Sequence, residues 1–292
     1  MQNTGWLDTI EYPFGHTFFQ APAGTLHYVD EGTGEPVVFV HGNPSWSFQF
    51  RNLIKALSGT NRCIAPDHLG FGLSDKPPDW SYLPEDHANN LELLLESLDL
   101  QDMTLVVGDW GGPIGLSYAI HHPERVENLV VTNTWLWSVR EDLYYQAFSG
   151  FMGGPVGRWL IRRDNFLVTT MMRLMFATKS RLTPEIHRQY KAPLAHPEER
   201  KGCWTLPGQI IGSSAWLQSL WERRDVLQPK HMLIAWGMKD IAFRRKELAR
   251  WNAAFPDVKV VCYEDCGHFV SEENQAELVR DIRNFLEGRT AG

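Results

Sequence analysis

The stretch at residues 103–122, MTLVVGDWGGPIGLSYAIHH, limits what this chain can fold into more than any other. Residues 104–107 are rich in β-branched and apolar side chains, and from Pro113 onward Ile114, Leu116, Ala119 and Ile120 recur at helical spacing. A buried strand therefore runs directly into a helix. Between them stand only Gly108, Asp109, Trp110, Gly111 and Gly112, rich in the one residue that tolerates a crowded, positive-φ turn. Asp109 sits at the apex of that turn.

A strand, sharp turn and helix of this kind lifts the apical side chain above a sheet at a helix N-terminus, where backbone N–H groups face any negative charge that forms. Where an acyl-transfer enzyme would carry serine, this apex carries a carboxylate. A carboxylate that attacks saturated carbon makes an alkyl ester, whereas attack on an acyl group gives only an anhydride, so Asp109 points to alkyl substrates with a leaving group. An aspartate at a helix start also reads as a plain N-cap, and the turn alone does not separate the two.

The rest of the chain supplies context. Its 292 residues suffice for one large α/β domain or two modest ones. The formal net charge of −7 argues against nucleic-acid and anionic-membrane partners. Cys63, Cys203, Cys262 and Cys266 form no C-x-x-C pair and read as buried reduced thiols; Cys262, Cys266 and His268 make only a loose cluster, and no metal site is expected. The N-terminal residues have no basic start followed by an apolar stretch, and no segment reaches membrane-spanning length, so a cytoplasmic protein is expected.

In chain order, residues 18–20 and 25–29 read as an antiparallel edge pair, and residues 36–40 (PVVFV) as a strand covered on both faces that ends in His41-Gly42-Asn43-Pro44-Ser45-Trp46. A helix at 48–57, a strand at 63–65, a glycine- and proline-rich loop at 67–77 and a helix at 86–98 precede the turn. A strand at 126–132 follows it. This alternation predicts a parallel sheet. The rhythm then breaks: residues 135–211 hold no convincing strand, only helical pieces such as 168–176, and are rich in Phe, Met and Trp. Most of these are core packing, but an inserted helical cap over the strand ends would enclose an apolar cavity. Strands at 231–236 and 258–263 and helices at 244–255 and 271–286 complete the pattern.

Asp109, Asp240 and His268 each follow a strand, in the order nucleophile, acid, histidine, at the carboxyl edge where open parallel sheets bind ligands. Alone, Asp240 reads equally as a turn aspartate and His268 as a loop histidine. Their joint placement carries the catalytic reading.

With HGNPSW at 41–46, DHLGFGLSDKP at 67–77, VVGDWGG at 106–112 and GHF at 267–269 followed by Glu272-Glu273, the chain resembles a haloalkane dehalogenase of the α/β-hydrolase superfamily over residues 6–286. That resemblance implies an α/β-hydrolase fold, with a mostly parallel sheet flanked by helices, a core at residues 1–134 and 212–292, and an inserted cap at 135–211. It implies that Asp109 displaces halide and forms an alkyl ester, that His268 activates water against the ester, and that Asp240 orients the imidazole. The indole N–H of Trp110 and the side chain of Asn43 would hold the halide, with Pro207 lining the same site. Backbone N–H groups of Asn43 and Trp110 would form the oxyanion hole.

One branch of the family carries a glutamate where this chain has Asn133, which cannot serve as a carboxylate, and the pairing of Asp240 with Asn43 resembles a branch whose members often self-associate. The implied partners are thus a halogenated alkane and a halide ion, with no cofactor, and a homo-oligomer is possible. Epoxide hydrolases share the Asp-Trp-Gly-Gly turn and use two cap tyrosines as acids, a role open to Tyr144, Tyr145 and Tyr190. A coelenterazine-type luciferase and a ligand receptor without catalysis are remoter readings.

Overall fold

The computed structural model describes residues 5–288; the first and last four residues of the expected core segments lie outside this range. Eight strands form one sheet in the order β1-β2-β4-β3-β5-β6-β7-β8. β1 (Thr17–Ala21), β2 (Gly24–Glu31) and β4 (Asn61–Pro66) pair antiparallel at one edge. β3 (Glu35–Val40) pairs parallel with β4 and with β5 (Met103–Gly108), and β6 (Val126–Thr132), β7 (His231–Gly237) and β8 (Lys259–Tyr263) continue in parallel. The apolar runs read from the sequence are these central strands, in which Val38, Phe39, Leu105, Val107 and Ile234 are fully buried. Each such side chain contributes roughly 1.5–3 kcal/mol over an exposed position. The sheet's carboxyl edge is thereby fixed as a rigid rim.

Helices cover both faces. α1 (Arg51–Leu57), preceded by a 3-10 turn at Ser47–Phe50, and α2 (Pro84–Ser97), with proline in its first turn, precede the elbow helix α3 (Gly111–His121). Between β6 and β7 lies the helical insert: α4 (Leu143–Met152), α5 (Pro155–Asp164), a π-helical turn at Leu167–Met171, α6 (Met172–Met175), α7 (Pro184–Lys191), α8 (Lys201–Gly212) and α9 (Ser214–Glu222). No strand interrupts it among the described residues. α10 (Arg245–Ala254) joins β7 to β8, and α11 (Val270–Glu273) and α12 (Gln275–Leu286) close the chain. No described helix is long and apolar enough to cross a membrane.

Three expectations need correction. The helix read at 168–176 is a π turn followed by one short α-turn, and the helix read at 271–286 is two helices broken at Asn274, whose φ of −125° and ψ of 40° leave the helical region. Cys262 is exposed, whereas Cys63, Cys203 and Cys266 are buried. β8 is an edge strand, so alternate side chains face outward. Cys262 and Cys266 do not converge with His268; among the described residues the one group of metal-donor side chains within reach of one another is Glu92, Glu96 and His122, partly exposed and at the end of α3 away from the turn.

Candidate active site

Asp109 has φ 49°, the left-handed conformation that a strained elbow imposes on its apical residue. The turn closes because Gly111 packs its backbone onto Val40 and His41, where a Cβ would overlap two carbonyl groups. Gly42 plays the same part from the β3 loop, since a Cβ there would strike the Asp109 carboxylate. That close approach lets the Asn43 N–H donate to Asp109 Oδ1 at 2.7 Å, and the Trp110 N–H also serves the carboxylate. Oδ1 is thus held by the Asn43 N–H, and Oδ2 is the oxygen nearer His268.

His268 Nδ1 donates to Asp240 Oδ2 at 2.9 Å, because a carboxylate can only accept. In the neutral imidazole the lone pair is then on Nε2, 3.7 Å from Asp109 Oδ2, beyond hydrogen-bond length but close enough for one water to touch both. Asp240 is itself braced: its Oδ2 accepts from Asn133 Nδ2 at 2.8 Å and its Oδ1 from the Ala242 N–H at 2.7 Å, while Asn133 Oδ1 accepts the Gly237 N–H. Asn133 therefore holds the Asp240 carboxylate in place from the end of β6. Its sequence signal is its position, one residue past a strand that ends on the same rim.

The electrostatics follow from burial and neighbours. Burial pushes the Asp109 carboxyl up, against the opposing pull of His268 and the two N–H donors. Burial alone would lower His268, but the charge and hydrogen bond of Asp240, then Asp109 and Glu273, carry it above its ordinary value. A cation on His268 is stabilised as long as both aspartates are charged.

Above these groups lies a cavity of about 780 Å³ of atom-free space, its mouth included, lined by Asn43, Asp109, Trp110 and Pro207 on the polar side and mainly by aromatic and aliphatic side chains elsewhere. Phe148, Leu167, Met171 and Met175 of the insert supply its apolar wall. The Trp110 indole N–H has no hydrogen-bond partner among the described residues and packs edge-on to Trp135, with ring centroids 4.6 Å apart. Asn43 and Trp110 thus line one cavity, and all six sequence-derived site residues are brought together around it or against it.

Pro207 stands inside α8, where its missing N–H leaves the carbonyl of Cys203, four residues earlier, without its helical partner. Asn43 Nδ2 donates to that carbonyl at 3.4 Å. A proline in the insert thereby helps set the rotamer of an amide in the core.

The tyrosines weighed as acids are engaged elsewhere. Tyr144 and Tyr145 donate their hydroxyls to the carbonyls of Ile241 (2.6 Å) and Ala242 (2.8 Å), and Tyr190 donates to Glu272. Carbonyl oxygens only accept, so those protons are committed.

A family model described as the alpha/beta hydrolase fold matches residues 35–275. Haloalkane dehalogenase 2 of Mycobacterium tuberculosis is 38% identical over 266 residues, covering 90% of this chain and 91% of the relative. The cis-3-alkyl-4-alkyloxetan-2-one decarboxylase of Shewanella oneidensis is 36% identical over 304 residues, covering 96% and 90%. The solved haloalkane dehalogenase DatA of Agrobacterium tumefaciens C58 superposes with a TM-score of 0.83 at 26% identity, over 94% of this chain and 96% of that one.

Proposed function

The chain belongs to the haloalkane dehalogenase-like α/β hydrolases, and from that premise we propose that it hydrolyses carbon–halogen bonds of small halogenated alkanes through an ester on Asp109. The observation that supports this most is the carboxylate itself, held by the N–H groups of Asn43 and Trp110 at the floor of an apolar cavity. The cap is taken at 135–211.

Oδ2 attacks the carbon opposite the halogen, forming a C–O bond as the halide departs with the bonding electrons. The indole N–H of Trp110 and the Asn43 amide receive the anion; donors without charge do this in a dry site at no ionic desolvation cost, each charge-assisted bond contributing roughly 1.5–3 kcal/mol. Esterification removes the charge of Asp109, one of the charges that raise His268, and so favours the neutral imidazole. The imidazole is thereby released to act as base on water, which adds to the ester carbon while Oδ1 takes the negative charge between the N–H groups of Asn43 and Trp110. Collapse expels the alcohol with one of the water's protons, the other leaves through His268, and the Asp109 carboxylate is restored. None of these steps draws on a metal or cofactor.

A second reading is favoured by the oxetanone decarboxylase relative. A β-lactone also presents a saturated carbon with a leaving group, here its own ring carboxylate. Attack by Asp109 opens the ring to a β-acyloxy carboxylate, and loss of carbon dioxide with expulsion of Asp109 gives an alkene without consuming water. Epoxide opening has less support, since Tyr144, Tyr145 and Tyr190 have their protons engaged.

One experiment separates the three: the purified protein is given a 1-bromoalkane, a cis-dialkyl β-lactone and a terminal epoxide in parallel. Bromide with alcohol is expected. Alkene and carbon dioxide without bromide would give the second reading, and diol alone would overturn both.

A further inference from the structure

We propose that Glu273 is the positioning residue through which the helical insert holds His268. This rests on the reading of His268 as the base that hydrolyses an Asp109 ester. Glu273 is buried, and among the described residues no lysine or arginine pairs with it. Its carboxylate is used by the main chain of two distant segments. Oε1 accepts the Gly267 N–H at 2.9 Å, beside the histidine, and Oε2 accepts the Thr178 N–H at 2.7 Å, just past α6, with the Ala177 N–H contributing as well.

The same junction is closed twice more. The His268 N–H donates to the carbonyl of Met175 at 3.0 Å, and Phe176 stacks on Phe269 with centroids 5.0 Å apart. At Gly267 a Cβ would strike Met175 and Ala177 backbone atoms, so the two segments approach as closely as backbones can. Met175 itself lines the cavity. The wall that touches substrate and the loop that carries the base are therefore one hydrogen-bonded unit, with Glu273 as its clasp.

A carboxylate suits this task where an amide does not. Two acceptor oxygens serve donors from two directions, whereas glutamine would turn an NH₂ group against one of the N–H groups. The charged groups that face His268 are Asp240 from the loop after β7, Asp109 from the elbow and Glu273 from α11; the insert presents only the Met175 carbonyl. Loss of the Glu273 charge thus lowers the pH at which His268 titrates.

The test uses Glu273→Gln, with Glu273→Asp as the conservative variant and melting temperature as the fold control. His268 is titrated by NMR in the substrate-free protein, and ester formation and decay on Asp109 are followed by rapid-quench mass spectrometry with a 1-bromoalkane. Glu273→Gln is expected to alkylate at the parent rate, hydrolyse its ester at least about tenfold more slowly and titrate His268 at lower pH, and Glu273→Asp to recover much of both. An unmoved His268 titration with unchanged ester decay overturns the inference, and so does a parallel loss of both half-reactions in a folded variant. If the parent protein forms no ester, the hydrolase reading fails, and the His268 titration alone then decides whether Glu273 acts on the histidine.

Discussion

The elbow at Asp109 and the loop at His268 meet across 3.7 Å, yet they are built in opposite ways. The elbow is local: a strand, a positive-φ aspartate and a helix follow one another within residues 103–121, and one short loop from β3 completes it. The histidine is held by parts far apart in sequence, namely Asp240 and Asn133 on one side and Met175 and Glu273 on the other. The placement of Asp109 is therefore a property of a segment, and that of His268 a property of the assembled fold. Damage to the first should stop chemistry at the outset, while damage to the second should let it begin and then stall.

Four substitutions press on that contrast. Asp109→Ala is expected to remove halide release altogether, a loss on the order of 10⁴-fold or more, with no alkyl adduct by intact mass. His268→Ala should lower turnover by up to about 10⁴-fold while the adduct accumulates on Asp109; an unmodified Asp109 in that variant would erase the distinction between the two regions. Asp240→Asn should cost about 10²–10³-fold in ester hydrolysis. The sign of its pH effect is fixed: Asp240 raises His268, so its neutralisation lowers the histidine, and the acid limb of the pH–rate profile should move to lower pH. Asn133→Ala, which removes one hydrogen bond to Asp240, should slow hydrolysis by about tenfold and leave alkylation alone, as stopped-flow measurement of the two steps would reveal.

The smallest effect sharpens the elbow side. Pro207→Ala returns an N–H to α8, where it can reclaim the Cys203 carbonyl from Asn43. A change of about twofold in bromide affinity, read by quenching of tryptophan fluorescence, is the scale expected of one long hydrogen bond.

The same division explains what the sequence disclosed. Runs such as residues 36–40 and 104–107 are continuous because both faces of those strands are covered, so the strands, their parallel arrangement and the rim of loops were legible from pattern, whereas the strand order was not. Asp109, Trp110 and Asn43 lie in motifs whose residue types answer to local demands. Asn133 was visible only as something that could not replace a carboxylate; its work as a brace depends on β7 lying beside β6, which is a tertiary fact. Glu273 follows the GHF motif with no visible role, because two of its three donors, the Ala177 and Thr178 N–H groups, come from the insert. The break at Asn274 and the π turn at Leu167–Met171 were hidden because apolar spacing runs through both, and a periodicity of hydrophobic residues does not register one added or lost backbone bond.

The two N–H groups on Asp109 have a consequence for atoms rather than energies. A carboxylate whose Oδ1 is pinned cannot exchange its two oxygens freely, so in the proposed reaction Oδ2 would be the fixed donor oxygen and Oδ1 the spectator. In water enriched in oxygen-18, the first alcohol released would carry the light oxygen that Asp109 started with. The heavy atom, having entered in its place, would be handed on whole to the second, so that the enzyme passes each product the isotope of the turnover before it.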